Sequence, residues 1–489
     1  MRIDIKKLAA GLAAGLMTVC CVPFAASADQ LEGAEDTLYD GSFYYELVDG
    51  SYTITRCSAT IIDHIPSIRN GTAITAIGDG AFAGCTGISK LEIPDSVTSI
   101  GSNAFYNCAA LKEVKLPKKL QTLGDHAFFS CESLESVEIP DTITEIQPFT
   151  FTMCSRLKEV KLPDTITSFG EFAFYQCSSL ATMKLPASLA TIGDNAMGRW
   201  FSCKEIDASA NSSFVFEDEM LKGGTTVYRA AASLSGELII PEGITDIAAG
   251  AFSGCGSLTS VHLPASAANI GEEGFSYCAA IKSIDFAEGL RTIGDSAFML
   301  DQALETAMIP TTVESIGSNA FAYCTKLNKV ILPEGVKTIG EDAFIATALD
   351  QISIPKSVES IGTNAFGYVV VSGQRQKSDS FKMSVFSGSA GEKFAKKEKL
   401  SYTSTDINIK KVAFIAAMIG IAVLAVAFAA ALMKKGRKTA TAGARRALKK
   451  EKAEAAEKSY KKIIGSADEK TESAGEEDGE VDEDTEEDE

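Results

Sequence analysis

The feature that most constrains this chain is a short motif that returns about every 23 residues. An Ala-Phe-type anchor places Phe at 82, 105, 128, 151 and 174, then Met197, then Phe at 252, 275, 298, 321, 344 and 366. A Pro ends a short apolar run at 94, 117, 140, 163, 186, 241, 264, 310, 333 and 355. An Ile-Gly pair or a variant of it precedes most anchors, as at Ile77-Gly78, Ile100-Gly101, Leu123-Gly124 and Ile316-Gly317. No unit this short can bury its own apolar side. Stacking the units buries them as continuous columns, which makes the chain a solenoid.

One unit shows the physics. Leu111-x-x-Val114-x-Leu116-Pro117 alternates and stops at a residue that cannot donate to a ladder, so it reads as a strand. Leu120-x-x-Leu123-Gly124 is a second extended run, ending where the chain can turn tightly. Ala127-Phe128-x-x-Cys131-x-x-Leu134 spaces apolar residues at i, i+3 and i+6, which predicts one or two turns of helix. The expected fold is therefore an α/β leucine-rich-repeat solenoid. It is a right-handed coil with a parallel sheet on one face and short helices or turns on the other.

The pattern L-x-x-V-x-L-P-x-x-L-x-x-L-G-x-x-A-F-x-x-C-x-x-L resembles the BspA-like, or Treponema pallidum-type, leucine-rich repeat family of bacterial surface proteins. The resemblance covers roughly residues 40–403 and implies attachment to host proteins, other cells or surface polymers. It also implies accessory parts. These are an N-terminal β-rich cap over 29–72, a first repeat block over 73–208 and a hairpin-type insert over 209–240. A second block over 241–370 and a C-terminal cap over 371–404 follow. Met197 and Trp200 replace the usual Phe and Cys, so irregular coils are expected around 197–240. Asp301 and Thr347 replace Cys, and Gln147 replaces Gly.

The ends carry addresses. Lys6 and Lys7, the apolar run Leu8–Val22 and Ala26-Ser27-Ala28 read as a signal peptide over 1–28. Val412–Met433 is apolar for 22 residues, roughly 33 Å as a helix, enough to span a bilayer. Residues 434–462 carry twelve Lys/Arg against three Glu, which places that side in the cytoplasm. The expected topology is single-pass at the cell membrane, ectodomain outside. A basic juxtamembrane segment over 434–464 precedes an acidic, aromatic-free tail over 465–489 that reads as disordered. The formal net charge is -19, and the body between the two addresses is acidic, which argues against a nucleic-acid partner.

Chemistry is hard to find. The sequence has no GxSxG elbow, P-loop, HExxH or EF-hand loop. His64, His126 and His262 are scattered. Seven Cys (85, 108, 131, 154, 177, 255 and 278) share one repeat slot, with Cys324 an eighth. Evenly spaced Cys in a secreted chain would suggest disulfides, but this spacing tracks the coil, so these read as reduced, buried apolar fillers. No catalytic residue, metal site or cofactor is expected. The readable surface is the strand ladder. One outward position reads Glu92, Lys115, Glu138, Lys161, Lys184 in the first block. In the second it reads Ile239, His262, Asp285, Met308, Ile331. The second series is more apolar and less self-neutralised, and it is the candidate ligand-binding stripe. The expected function is non-catalytic binding or adhesion, to an extracellular protein or a surface polysaccharide. The alternative is a membrane-proximal sensor or envelope scaffold whose tail recruits cytoplasmic partners.

Overall fold

The computed structural model describes residues 38–59 and 61–404. The signal-peptide, membrane-span, basic-segment and acidic-tail expectations lie outside the described residues. Among the described residues no helix is long and apolar enough to cross a membrane.

Each coil contributes three backbone segments, and each stacks on its counterparts in parallel. The strand before Pro forms the first ladder, with Leu91 facing Val114 and Val137 facing Val160. Its middle residue is buried and its neighbours face solvent, the period-2 alternation expected of a half-buried strand. The second ladder runs through the residues before Gly, with Ile100 facing Leu123 and Ile270 facing Ile293. Behind it the glycines stack so closely that a Cβ on Gly124 would lie 2.5 Å from the Gly101 carbonyl carbon. That contact, rather than backbone torsion, explains the Gly.

The third segment corrects the helical expectation. The Ala-Phe stretch is a run of turns. Its amides point alternately into the coil and across to the next one. Cys108 N donates to Phe105 O at 3.2 Å, whereas Phe105 N donates to Ala127 O at 2.8 Å and Asn107 N to Phe129 O at 2.7 Å. The geometry needs left-handed backbone at two positions per coil, as at Asn103 and Asn107 (φ 57 and 56) or His126 and Ser130 (φ 55 and 57). The physical reason is width. A helix is roughly 10 Å across with its side chains, too wide for coils stacked at a strand spacing of about 4.8 Å.

The anchors form the core. Phe82, Phe105, Phe128, Phe151 and Phe174 are buried and stack ring on ring, with Phe105–Phe128 centroids 5.1 Å apart. A second column runs from Phe252 to Phe366. The Cys column does more than fill space. Cys108, Cys131, Cys154 and Cys177 each donate a thiol hydrogen bond to the carbonyl of the anchor Phe in the preceding coil, at 3.1–3.3 Å. At Trp200 the indole Nε1 donates to Phe174 O at 2.8 Å instead. The coil expected to be irregular there is kept in register by a different donor aimed at the same carbonyl.

Between the blocks, Val215–Glu217 and Met220–Gly223 form a hairpin, and Thr226–Ala230 returns the chain to the second ladder, parallel to Asp246–Ile247. Arg229 is fully buried here. It donates to the carbonyls of Gly250 and Trp200 at 2.8 Å and of Ser253 at 3.1 Å, tying the last coil of the first block to the first coil of the second.

Both ends are closed. At the N-terminal end Phe43–Val48 and Ser51–Cys57 form an antiparallel pair, and the latter runs parallel to Thr72–Ile77. At the C-terminal end a hairpin of Tyr368–Val371 and Gln374–Lys377 precedes helix α1, Ala390–Glu398. Ser389 caps α1 by accepting from Glu392 N, Glu392 reaches back to Gly388 N at 2.9 Å, and Phe394 packs on Phe366. This covers the apolar end that a bare last coil would expose.

Candidate surface for recognition

The strand ladder holds its outward side chains in fixed columns. In the first block those columns neutralise themselves. Lys90 pairs with Glu113 at 2.8 Å, Lys115 with Glu92, and Lys161 with Glu138 at 3.8 Å. The hydrogen bond from Lys115 to Glu92 raises the lysine pKa, and the one from Lys158 holds Glu135 below the usual carboxylate value. Such exposed pairs add little stability each, but they leave few charges free for a ligand.

The second block differs. Ser235–Ile239, Ser257–His262 and Ser283–Asp285 pair in parallel, with Ile239 facing His262 and His262 facing Asp285. Thr306–Met308 and Lys329–Ile331 pair likewise, with Met308 facing Ile331. The expected stripe thus falls on two neighbouring ladders, Ile239–His262–Asp285 and Met308–Ile331, and it is not evenly apolar. Ile239 is 63% exposed and Met308 56%. Ile331 is half-buried. Between these apolar ends the imidazole of His262 is clamped, Nδ1 2.6 Å from Asp285 Oδ2 and Nε2 3.0 Å from Glu237 Oε1. Sequence reading found His262 and Asp285 but not Glu237. Glu237 stands two residues before Ile239 on the same strand and therefore shares its face.

A second cluster escaped sequence reading entirely. Arg199 and Glu273 form a buried ion pair across the junction of the blocks. Tyr175 Oη donates to both carboxylate oxygens at 2.9 Å, and Arg199 lies over the rings of Tyr175 and Tyr277. Burial opposes the Arg199 charge, but Glu273 outweighs it and raises the arginine pKa. Burial, reinforced by Glu273, lifts neighbouring Glu272 to about 7. In the coil between them Gly250, at φ +70, lies so close to Asn195 and Gly198 that a Cβ there would stand 2.7 and 2.8 Å from them. A Gly at each left-handed position of that coil, 250 and 254, was the one available signal. Among the described residues no group of three or more His, Cys, Asp or Glu could hold a metal ion.

A stacked, capped solenoid with one structured ladder face defines a repeat-based recognition protein. The pattern of the BspA type leucine rich repeat region matches residues 75–207 and 245–371 in six copies, and the chain belongs to that family. A leucine rich cell surface protein from Faecalibacterium prausnitzii is similar in structure, at 28% identity over 68% of this chain and 95% of that one, TM-score 0.56. The pneumococcal vaccine antigen PcpA shares the fold at 18% identity over 76% of this chain and 99% of that one, TM-score 0.52. No curated protein sequence matches.

Proposed function

We propose that the chain is a non-catalytic cell-surface binding protein. Its second-block stripe, Ile239, His262, Asp285, Met308 and Ile331, would contact an extracellular protein or polysaccharide. One observation carries this reading. The first block pairs its outward charges, whereas the second leaves Ile239 and Met308 largely exposed around a pinned His262–Asp285–Glu237 group. Exposed apolar side chains beside fixed carboxylates suit a ligand with apolar groups flanked by hydrogen-bond donors. The parallel ladder fixes these positions before binding, so little ordering entropy is lost. The similarity to a cell surface protein agrees with the signal-peptide and membrane-span reading of the termini.

The test is capture of host matrix proteins and cell-wall polymers by the full chain. Met308→Asp with Ile331→Asp should abolish capture, and Lys115→Glu in the first block should not. Equal capture by the double variant and the wild type would remove this stripe as the binding site.

A further inference from the structure

Cys57 stands outside the repeat slot that holds the other thiols, yet the fold brings it to the end of their column. Its backbone takes the place an anchor Phe would hold in the coil before Phe82. Cys57 N donates to Ala81 O at 2.6 Å, as Phe82 N does to Ala104 O at 2.7 Å. In the first block Cys108, Cys131, Cys154 and Cys177 each reach a carbonyl 26 residues back, as Cys108 reaches Phe82 O. For Cys85 the same offset falls on Ala59, and Ala59 O already accepts from the Cys57 thiol at 3.6 Å. Both sulfurs are thus directed at one place, and they hydrogen-bond to each other.

This pair also differs from the rest in access. Cys108, Cys131, Cys154 and Cys177 are 0% exposed. Cys85 is half-buried, and Cys57, though buried, is 8% exposed. The Cys85 hydrogen bond lowers the Cys57 pKa from the ordinary thiol value, which favours the thiolate, and the thiolate is the nucleophile. The same bond pushes Cys85 up.

We infer that Cys57 and Cys85 are an oxidisable pair that closes to a disulfide between the N-terminal cap and the first coil. The co-reactant is a small or protein disulfide. The Cys57 thiolate attacks one of its sulfurs and expels a thiolate. Cys85 then loses its proton and displaces the second sulfur from the mixed disulfide. Cys57 and Cys85 are oxidised by two electrons in all, and the co-reactant leaves as two thiols. The bond would join the Phe43–Val48 and Ser51–Cys57 pair to the stack it covers.

The test uses the reduced, purified full chain incubated with glutathione disulfide. It is then alkylated without reductant, digested and mapped by mass spectrometry. The expected product is a Cys57–Cys85 linked peptide, with Cys108, Cys131, Cys154 and Cys177 unlinked. The thermal midpoint of the oxidised wild type should exceed that of the reduced protein, and Cys57→Ser and Cys85→Ser should show no such rise. Alkyl groups on both Cys57 and Cys85 after oxidation, or a Cys85–Cys108 link, would overturn the assignment. The assay is independent of the proposed binding stripe and of where the protein resides.

Discussion

At the scale of single residues, one repeat slot shows how a position is defined by what it must do. The slot asks for a donor aimed at the preceding anchor carbonyl. Cys supplies a thiol and Trp200 an indole N–H. Asp301 is a fully buried carboxyl in the same slot. Its Oδ1 accepts from Cys278 N at 2.8 Å and its Oδ2 has no partner. Burial raises its pKa well above 3.8, so the native state holds a proton there that the unfolded chain has lost. A raised folded-state value means the stability contributed by this group is fully present below about 3.8 and falls as pH rises above it. Asp301→Cys should therefore stabilise the protein by about 1–3 kcal/mol near neutral pH. The gain should shrink as pH approaches 4. Thermal midpoints at pH 4 and pH 7 check this, and a gain independent of pH would refute the buried-acid account. The ionic ladder of the first block needs no such test, since exposed pairs contribute little.

At the scale of elements, the stacked aromatic column and the junction between blocks carry the energetics. Phe128 sits between Phe105 and Phe151, with centroids 5.1 and 5.6 Å away, and is fully buried. Phe128→Ala should destabilise by about 3–5 kcal/mol, because the columns on either side cannot collapse into the gap. Chemical denaturation measures it. At the junction, Glu273→Ala leaves Arg199 buried without its counter-charge and should cost about 3–5 kcal/mol. Arg199→Met with Glu273→Leu should cost much less than the single change. A double variant as unstable as Glu273→Ala alone would mean that the pair is not what destabilises the single one. The element that sequence reading misjudged is also at this scale. Spacing of i, i+3 and i+6 fits a helix and a stacked turn equally well. Inter-coil hydrogen bonds chose the turn.

At the scale of the whole molecule, a stack is as sound as its ends. Helix α1 covers the last coil through Phe394 and Ala395. Phe394→Asp should open the neighbouring coils around 341–366 to hydrogen exchange while residues 75–207 stay protected, because each coil contacts only its neighbours. Exchange that rises uniformly would show instead that the stack unfolds as one unit.

The sequence by itself determined the repeat, its length, the buried columns and the outward strand positions. These follow from periodicity, and period is a property of order along the chain. It also placed Ile239, His262, Asp285, Met308 and Ile331 at one repeat position, since the register is one residue per coil. Only the tertiary structure decided that His262 is clamped by Glu237 as well as Asp285, and that Arg199 pairs with Glu273 across a Gly coil. It also brought Cys57 onto the end of a thiol column it does not belong to. Those contacts join residues with no common period, so nothing short of the folded stack brings them together.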